Sequence, residues 1–575
     1  MPTRFIGSCA TRASLLTPAA LALASVLGCT SPGSATPANE SAGTPVRLVL
    51  QITVDGLRGD LLNRYGDRFG EGGFRHLLET GAVYANAHYQ HANTETIVGH
   101  STLATGASPD QHGMIGNVWF DREAGELAYN IEDPEHPILP SREVAMEGAQ
   151  LDPSQKQSRT KGRSPRSLLA STFGDELSVH TAGRAKVFGV SGKDRSAVAM
   201  AGHVGKAFWY ATDSGDMVTS DYYYDAYPDW VAEWNARRRA ESHAGGSWRL
   251  LNDASTYLLA ASDDRPYETD LKGYGRVFPH PFGELGDPLF FTRLIASPVG
   301  DALTLDFAKA LIAAEQLGQD ATPDYLSISF SSVDVVNHFF GPSSLENEDI
   351  VLQLDRTLSD LFRSVDATVG LERTLVVLSA DHGTPEMPEA MAEAGLRASR
   401  LYPAEVVERA NAAARSRFGI EGAVRFFFRP YLYLNREKIR TSGADPDEVE
   451  QVIAAALTDV DGIALAVARS ALPTLTDDDL VARIRRNTHP SRSGDIYVAP
   501  EPYWFLYEKG PIAAAHGSPW RHDTFVPIIF AGPGIAPQTI HRLVHPTDVA
   551  PTLSGYLGVK PPSSAVGTPL EEILP

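Results

Sequence analysis

Cysteine is nearly absent from this 575-residue chain: there are two, Cys9 and Cys29, both near the amino terminus. That excludes a disulfide framework, a cysteine-ligated metal site and a thiol nucleophile from the body of the protein. Positive charge is also scarce. Lysine and arginine total 50 against 71 aspartates and glutamates, for a net charge of -21. A nucleic-acid binder needs a basic footprint, so nucleic acid is not expected as a partner. An anionic substrate would have to meet positive charge placed locally. Past the amino terminus no run is long and apolar enough to span a membrane, and there is no internal repeat. The rest is ordinary globular composition, 43% hydrophobic and 21% charged.

The first 28 residues read as a leader. Arg4 and Arg12 precede an apolar run from Leu15 to Val26, the length of a signal-peptide core. Val26-Leu27-Gly28-Cys29 resembles a bacterial lipobox, which implies cleavage before Cys29 and a lipid on its thiol. Thr30 follows Cys29 where an Asp would signal inner-membrane retention, so the expected location is the periplasm or cell envelope, on the outer membrane. Residues 29–45, rich in Ser, Pro, Gly, Thr and Ala, read as a flexible tether. The catalytic body is then 46–575.

Within that body, short β-branched runs end in polar residues. Val46 to Val54 leads to Asp55, Ala185 to Val190 to Ser-Gly-Lys193-Asp-Arg195, Tyr325 to Phe330 to Asp334, and Thr374 to Leu378 to Asp381-His382. Near-continuous apolar strands alternating with helical stretches (302–316, 349–365) predict an α/β/α sandwich around a mostly parallel sheet. In such sheets the site lies beyond the carboxyl ends of the strands. Two segments, about 200–300 and 385–520, break the alternation and read as capping insertions. The aromatic run from Arg425 to Leu434 reads as core or edge strand.

Asp334 and His338 are four apart, one helical turn, and so share a face. Asp381 and His382 adjoin at a strand end, Asp55 closes the first strand, and His516 sits in the small-residue loop Ala-His-Gly-Ser. Carboxylate oxygen with imidazole nitrogen suits zinc, with manganese or iron also compatible. The other histidines, among them His88, His91, His100, His112 and His203, are read as structural.

The motifs VDGLRGD (54–60), NTETIVGHSTLATG (93–106), HGMIGNVW (112–119), SGKDR (191–195), SVDVVNHFFGP (332–342), SADHG (379–383) and HGSPWRHD (516–523) together resemble the threonine-nucleophile branch of the alkaline phosphatase superfamily. The resemblance implies two Zn2+ per chain, one held by Asp334, His338 and His516, the other by Asp55, Asp381, His382 and the nucleophile. The nucleophile it implies is Thr96 of Thr94-Glu-Thr96, with Asn117 following 21 residues later and Lys193 and Arg195 on the phosphoryl oxygens. Ile97-Val98 replaces the usual Gly-Pro, and Asn337 the usual Gly before the zinc-binding His.

The activity implied by the resemblance is broad hydrolysis of small phosphate monoesters through a phosphothreonine. Lys193 and Arg195, two apart on an extended segment, would point the same way. Thr96 would sit where a loop enters a helix, Ile97 onward, with backbone N–H groups adding to anion binding. The alternatives are a phosphodiesterase or nucleotide pyrophosphatase on the same fold, and a non-catalytic surface lipoprotein. A sulfatase is disfavoured, because Thr96 stands where a Cys or Ser would be required.

Overall fold

The run LVLQITV supplies a strand, β1 (Leu48–Val54), with all seven residues buried. Its side chains alternate between two cores, as a strand covered on both faces must. Leu48, Leu50, Ile52 and Val54 face one apolar cluster, and Val49 faces the other. The remaining strands of its sheet are β2 (Ala82–His88), β3 (Val187–Ser191), β4 (Lys206–Tyr210), β5 (Met217–Val218), β6 (Asp324–Phe330), β7 (Thr374–Ser379), β12 (Phe525–Ala531) and β13 (Gln538–Ile540). The order is β13-β2-β12-β7-β1-β6-β3-β4-β5. Neighbours from β7 to β4 pair in parallel. Only β12 and β5 run against that direction.

Helices cover both faces. α3 (Pro298–Ala314) and α5 (Leu345–Thr368) fill the first core through Phe307, Leu311, Leu354, Leu358 and Leu361. α1 (Thr96–Thr105), α2 (Asp194–Ala201) and α8 (Val549–Leu557) fill the second through Leu103, Met200, Val549 and Leu553. The fold is therefore an α/β/α sandwich on a mostly parallel sheet. α4 (Ser332–Phe340) follows β6 directly.

A second, antiparallel sheet is built between β7 and β12, from β8 (Val424–Phe428), β9 (Tyr431–Leu434), β10 (Ile463–Ala468) and β11 (Ile496–Pro500) in the order β8-β9-β11-β10. α6 (Pro403–Phe418) and α7 (Pro446–Thr458) close its core through Val406, Ala410, Val449 and Ile453. The aromatic run is the β8–β9 hairpin, with β9 buried and β8 half-buried at the sheet edge. The segment 200–300 is not wholly a cap. Its apolar Lys-Ala-Phe-Trp-Tyr run is β4, which with β5 extends the main sheet.

These elements come from a computed structural model that describes residues 45–141, 152–476, 478–507, 510 and 512–575. The leader, Cys29 and all of the tether but Pro45 lie outside them. Among the described residues no helix is long and apolar enough to cross a membrane.

Candidate active site

The parallel strands deliver their carboxyl ends to one edge. Asp55 follows β1, Asp381 and His382 follow β7 after one residue, and Lys193 and Arg195 follow β3. Asp334 and His338 stand one turn apart on α4. Gly56, next to Asp55, has φ +74°, and a side chain there would begin 3.0 Å from the Asp334 Cβ. Glycine is thus required by both conformation and space, and it lets the ends of β1 and β6 meet.

Two clusters of candidate metal ligands result. Asp334, His338 and His516 bring their donor atoms within 4.8 Å of one another, as do Asp55, Asp381 and His382. In the first, Asp334 Oδ2 lies 3.3 Å from His338 Nε2, and Asp334 Oδ1 lies 3.5 Å from His516 Nε2. In the second, His382 Nε2 is 3.4 Å from Asp55 Oδ1 and 3.3 Å from Asp381 Oδ2. The rings of His382 and His516, one from each cluster, stack with centroids 3.4 Å apart.

All three histidines are turned the same way. Nδ1 of His338 donates to the Ala514 carbonyl (2.8 Å), that of His516 to Thr94 (2.7 Å) and that of His382 to Gly383 (2.9 Å). A carbonyl only accepts, so Nδ1 carries a proton and Nε2 is the ring nitrogen turned toward the carboxylates. Asp55 Oδ1, Asp334 Oδ1, Asp381 Oδ2 and His382 Nε2 are buried yet make no hydrogen bond. Such atoms are costly in a protein interior unless something coordinates them. Burial drives the His382 imidazole toward neutrality, but Asp381 and Asp55 outweigh it and push its pKa up to about 9. Burial would raise the Asp55 carboxyl, but Lys193 and His382 together hold it below the usual carboxylate range. The donor set, its orientation and the concentrated negative charge all fit divalent cations.

Lys193 bridges the clusters, with Nζ 2.8 Å from Asp55 Oδ2 and paired with Asp334 Oδ2. The expectation that Lys193 and Arg195 share an extended segment is corrected. Lys193 is the N-cap of α2, and Arg195 lies in its first turn. Asp194 between them is pinned by Tyr129 (2.7 Å) and Arg163 (2.8 Å), which fixes where its neighbours project. Arg195 Nη1 binds Asp152 at 2.6 Å, and its Nη2 lies 3.4 Å from Thr96 Oγ. Its buried Nε makes no hydrogen bond.

Thr96 is the first residue of α1, one residue ahead of the expected start, and Glu95 is the N-cap. Thr96 is buried and does not cap the helix. The Ile97 N–H, expected to serve an anion, instead donates to Asn117 Oδ1 at 3.1 Å. With Oδ1 held there, Nδ2 is the donor end of the Asn117 amide, which lines the cavity described next. A cavity of about 550 Å3 opens onto Asn117, Lys193, Arg195, His338 and His516, walled by Trp209, Phe339 and Tyr507.

His100, which reads as structural on sequence alone, has a place in the site. Its Nδ1 lies 2.8 Å from the Thr96 carbonyl and 3.1 Å from Asp381 Oδ2, and its Nε2 2.9 Å from Ser329 Oγ. It therefore fills the space between the Thr96 carbonyl and the Asp381 carboxylate at the end of β7. The signal was its place in the run Thr96-Ile-Val-Gly-His100. Asp152 and Asp194, which orient Arg195, carried no such signal, because their partners are 43 and 31 residues away in sequence.

Residues 49–519 match the family described as type I phosphodiesterase / nucleotide pyrophosphatase. The chain is 33% identical over 537 residues to a Myroides odoratus protein named calcium-transporting ATPase, covering 92% of this chain and 94% of that one. It is 32% identical to alkaline phosphatase PhoV of Synechococcus elongatus, covering 92% and 93%. The crystal structure of wild-type alkaline phosphatase PafA superposes with a TM-score of 0.84 at 29% identity, covering 92% of this chain and 99% of that one. The chain thus belongs to the type I phosphodiesterase / nucleotide pyrophosphatase family, within the alkaline phosphatase superfamily, and is a hydrolase of phosphate esters.

Proposed function

We propose that this protein hydrolyses phosphate monoesters, with broad specificity, through a phosphothreonine on Thr96, and that its metals are two zinc ions. One would be held by Asp334, His338 and His516, the other by Asp55, Asp381, His382 and Thr96. When bound, the ions supply Lewis acidity toward the attacking and leaving oxygens. The observation that carries the reading is the Arg195 guanidinium 3.4 Å from the buried Thr96 hydroxyl, with an unpaired Nε beside it.

The Thr96 hydroxyl gives up its proton to solvent and Oγ forms a bond to phosphorus as the ester P–O bond breaks, the departing alkoxide taking a proton from solvent. Water then attacks the phosphothreonine, releasing inorganic phosphate and restoring the Thr96 hydroxyl. Charge on the transferring group spreads over its non-bridging oxygens. Arg195, Lys193 and the Asn117 amide are the donors placed to meet it. A monoester offers three such oxygens, whereas a diester replaces one with an organic group and forfeits a contact. This favours monoesters.

The 550 Å3 cavity with its aromatic wall, together with the family description, favours a second reading in which diesters are the better substrates. An ATPase, the name borne by one relative, shares hydrolysis at phosphorus with both readings. The test is kcat/KM for a nitrophenyl phosphate monoester and its matched diester, with Thr96→Ala as control. A monoester preference lost in the control supports the first reading, and a diester preference the second. For location we propose the cell envelope, with a lipid on Cys29 facing the outer membrane. Labelled palmitate incorporated by wild type and absent from Cys29→Ser checks this.

A further inference from the structure

Glu95 stands between Thr94 and Thr96, 3% exposed, with its carboxylate at the wall of the cavity. It caps α1 by position only, since its side chain makes no capping bond. Instead Oε2 accepts the Asn117 backbone N–H at 2.6 Å and faces Asn93 Nδ2 at 3.4 Å. The approach depends on Gly116, where a Cβ would lie 3.1 Å from Oε2. Oε1 faces Arg429 Nη2 at 3.6 Å. Arg429 comes from the β8–β9 turn, lies over the Tyr507 ring at 4.8 Å, and donates Nη1 to the His516 carbonyl at 2.7 Å.

A carboxylate here cannot donate to a phosphoryl oxygen, and it would repel a dianion unless its charge were answered elsewhere. The Asn117 N–H and Arg429 answer it. Asn117 is otherwise tied through its carbonyl, which accepts from Asn130 N (3.3 Å) and Nδ2 (2.7 Å), and through Oδ1 on Ile97 N–H. The bond from Glu95 is the one charge-assisted tie of the set, and such bonds are about twice as strong as neutral ones. It also joins the residue before the nucleophile directly to the backbone of the donor.

We infer that Glu95 is a positioning residue: it aims the Asn117 amide at the phosphoryl oxygens, and Arg429 from the capping segment holds Glu95 in place. The inference rests on the roles proposed above for Thr96 and Asn117.

A double-mutant cycle tests it. Glu95→Ala lowers kcat/KM for nitrophenyl phosphate about tenfold in the wild-type background, and by no more than about threefold on top of Asn117→Ala, because coupled positions are not additive. Glu95→Gln keeps an acceptor for the Asn117 N–H and stays within about threefold of wild type. Calorimetric binding of inorganic phosphate follows the same pattern: Glu95→Ala weakens it only while Asn117 is present. If Glu95→Ala fails to fold, Glu95→Asp, one methylene short, takes its place with the same expected tenfold loss. Losses from Glu95→Ala and Asn117→Ala that simply multiply would overturn the inference, as would Glu95→Gln as damaging as Glu95→Ala; either would leave Thr96 and Asn117 in their roles. Full turnover in both Thr96→Ala and Asn117→Ala would instead overturn the site reading, and this inference with it.

Discussion

Gly99→Ala should disable the site with little loss of fold. Gly99 is on α1, three residues after Thr96, and the helix passes so close to the end of β7 that an added Cβ would lie 1.9 Å from the Asp381 carbonyl oxygen and 2.7 Å from its Cα. Those are backbone atoms, so no rotamer change relieves the clash. Opening the contact from 1.9 Å to an ordinary one near 3.4 Å moves helix and strand end apart by roughly 1.5 Å. One partner carries Thr96, the proposed nucleophile, and the other Asp381, a proposed metal ligand, so their relative placement changes whichever yields. A misplacement of about 1 Å costs on the order of 100-fold in rate, whereas overpacking of one methyl costs about 1–3 kcal/mol in stability. The expected outcome is kcat/KM down about 100-fold, a melting temperature lowered by a few degrees, and zinc below two per chain by atomic absorption. Gly66→Ala, where a Cβ meets nothing within 4 Å, is the control and should match wild type. A Gly99→Ala enzyme within threefold of wild type and fully metal-loaded would refute the argument that this contact sets the geometry.

Three further outcomes are expected. Arg195→Ala lowers monoester kcat/KM by about 100- to 1,000-fold, the usual loss for one donor on a developing charge, and lowers diester turnover less; an equal loss on both would remove the basis for monoester preference. Chelation lowers the melting temperature by several degrees, and stoichiometric zinc restores it, because a ligand held only by the folded state stabilises that state; an unchanged melting curve would argue against these clusters as metal sites. Glu268 is buried near Glu346, and burial, then that neighbour, raise its pKa from 4.5 to about 8. The folded carboxyl therefore keeps a proton that the unfolded chain releases, and stability falls as pH rises through that window. Glu268→Gln should gain on wild type in melting temperature as pH goes from 6 to 9, and a constant difference would show that Glu268 does not titrate in this way.

The sequence exposed the sheet because a strand buried on both faces must be apolar throughout, which makes β1, β6 and β7 stand out. It exposed the candidate ligands because parallel strands discharge them at one edge, and because Asp334 and His338 repeat at a helical turn. It did not expose what depends on contacts between distant segments. Lys193 reads as a phosphate donor, and only the fold shows it bridging Asp55 and Asp334. The Ile97 N–H looked available to an anion until Asn117 arrived from the next loop. The Lys206–Tyr210 run looked like part of a cap, because a short aromatic stretch among turns gives no hint that it pairs with β3.

The ligand clusters also have a consequence for biosynthesis. Asp55 comes directly after the first strand of the sheet, while His516 arrives only after the second sheet has been completed and just ahead of β12. A chain still being made, or cut short before residue 516, carries every other residue of the two clusters and Thr96 but cannot close the first cluster. Contacts of such long sequence separation are slow to form, so the first cluster is expected to close late in folding.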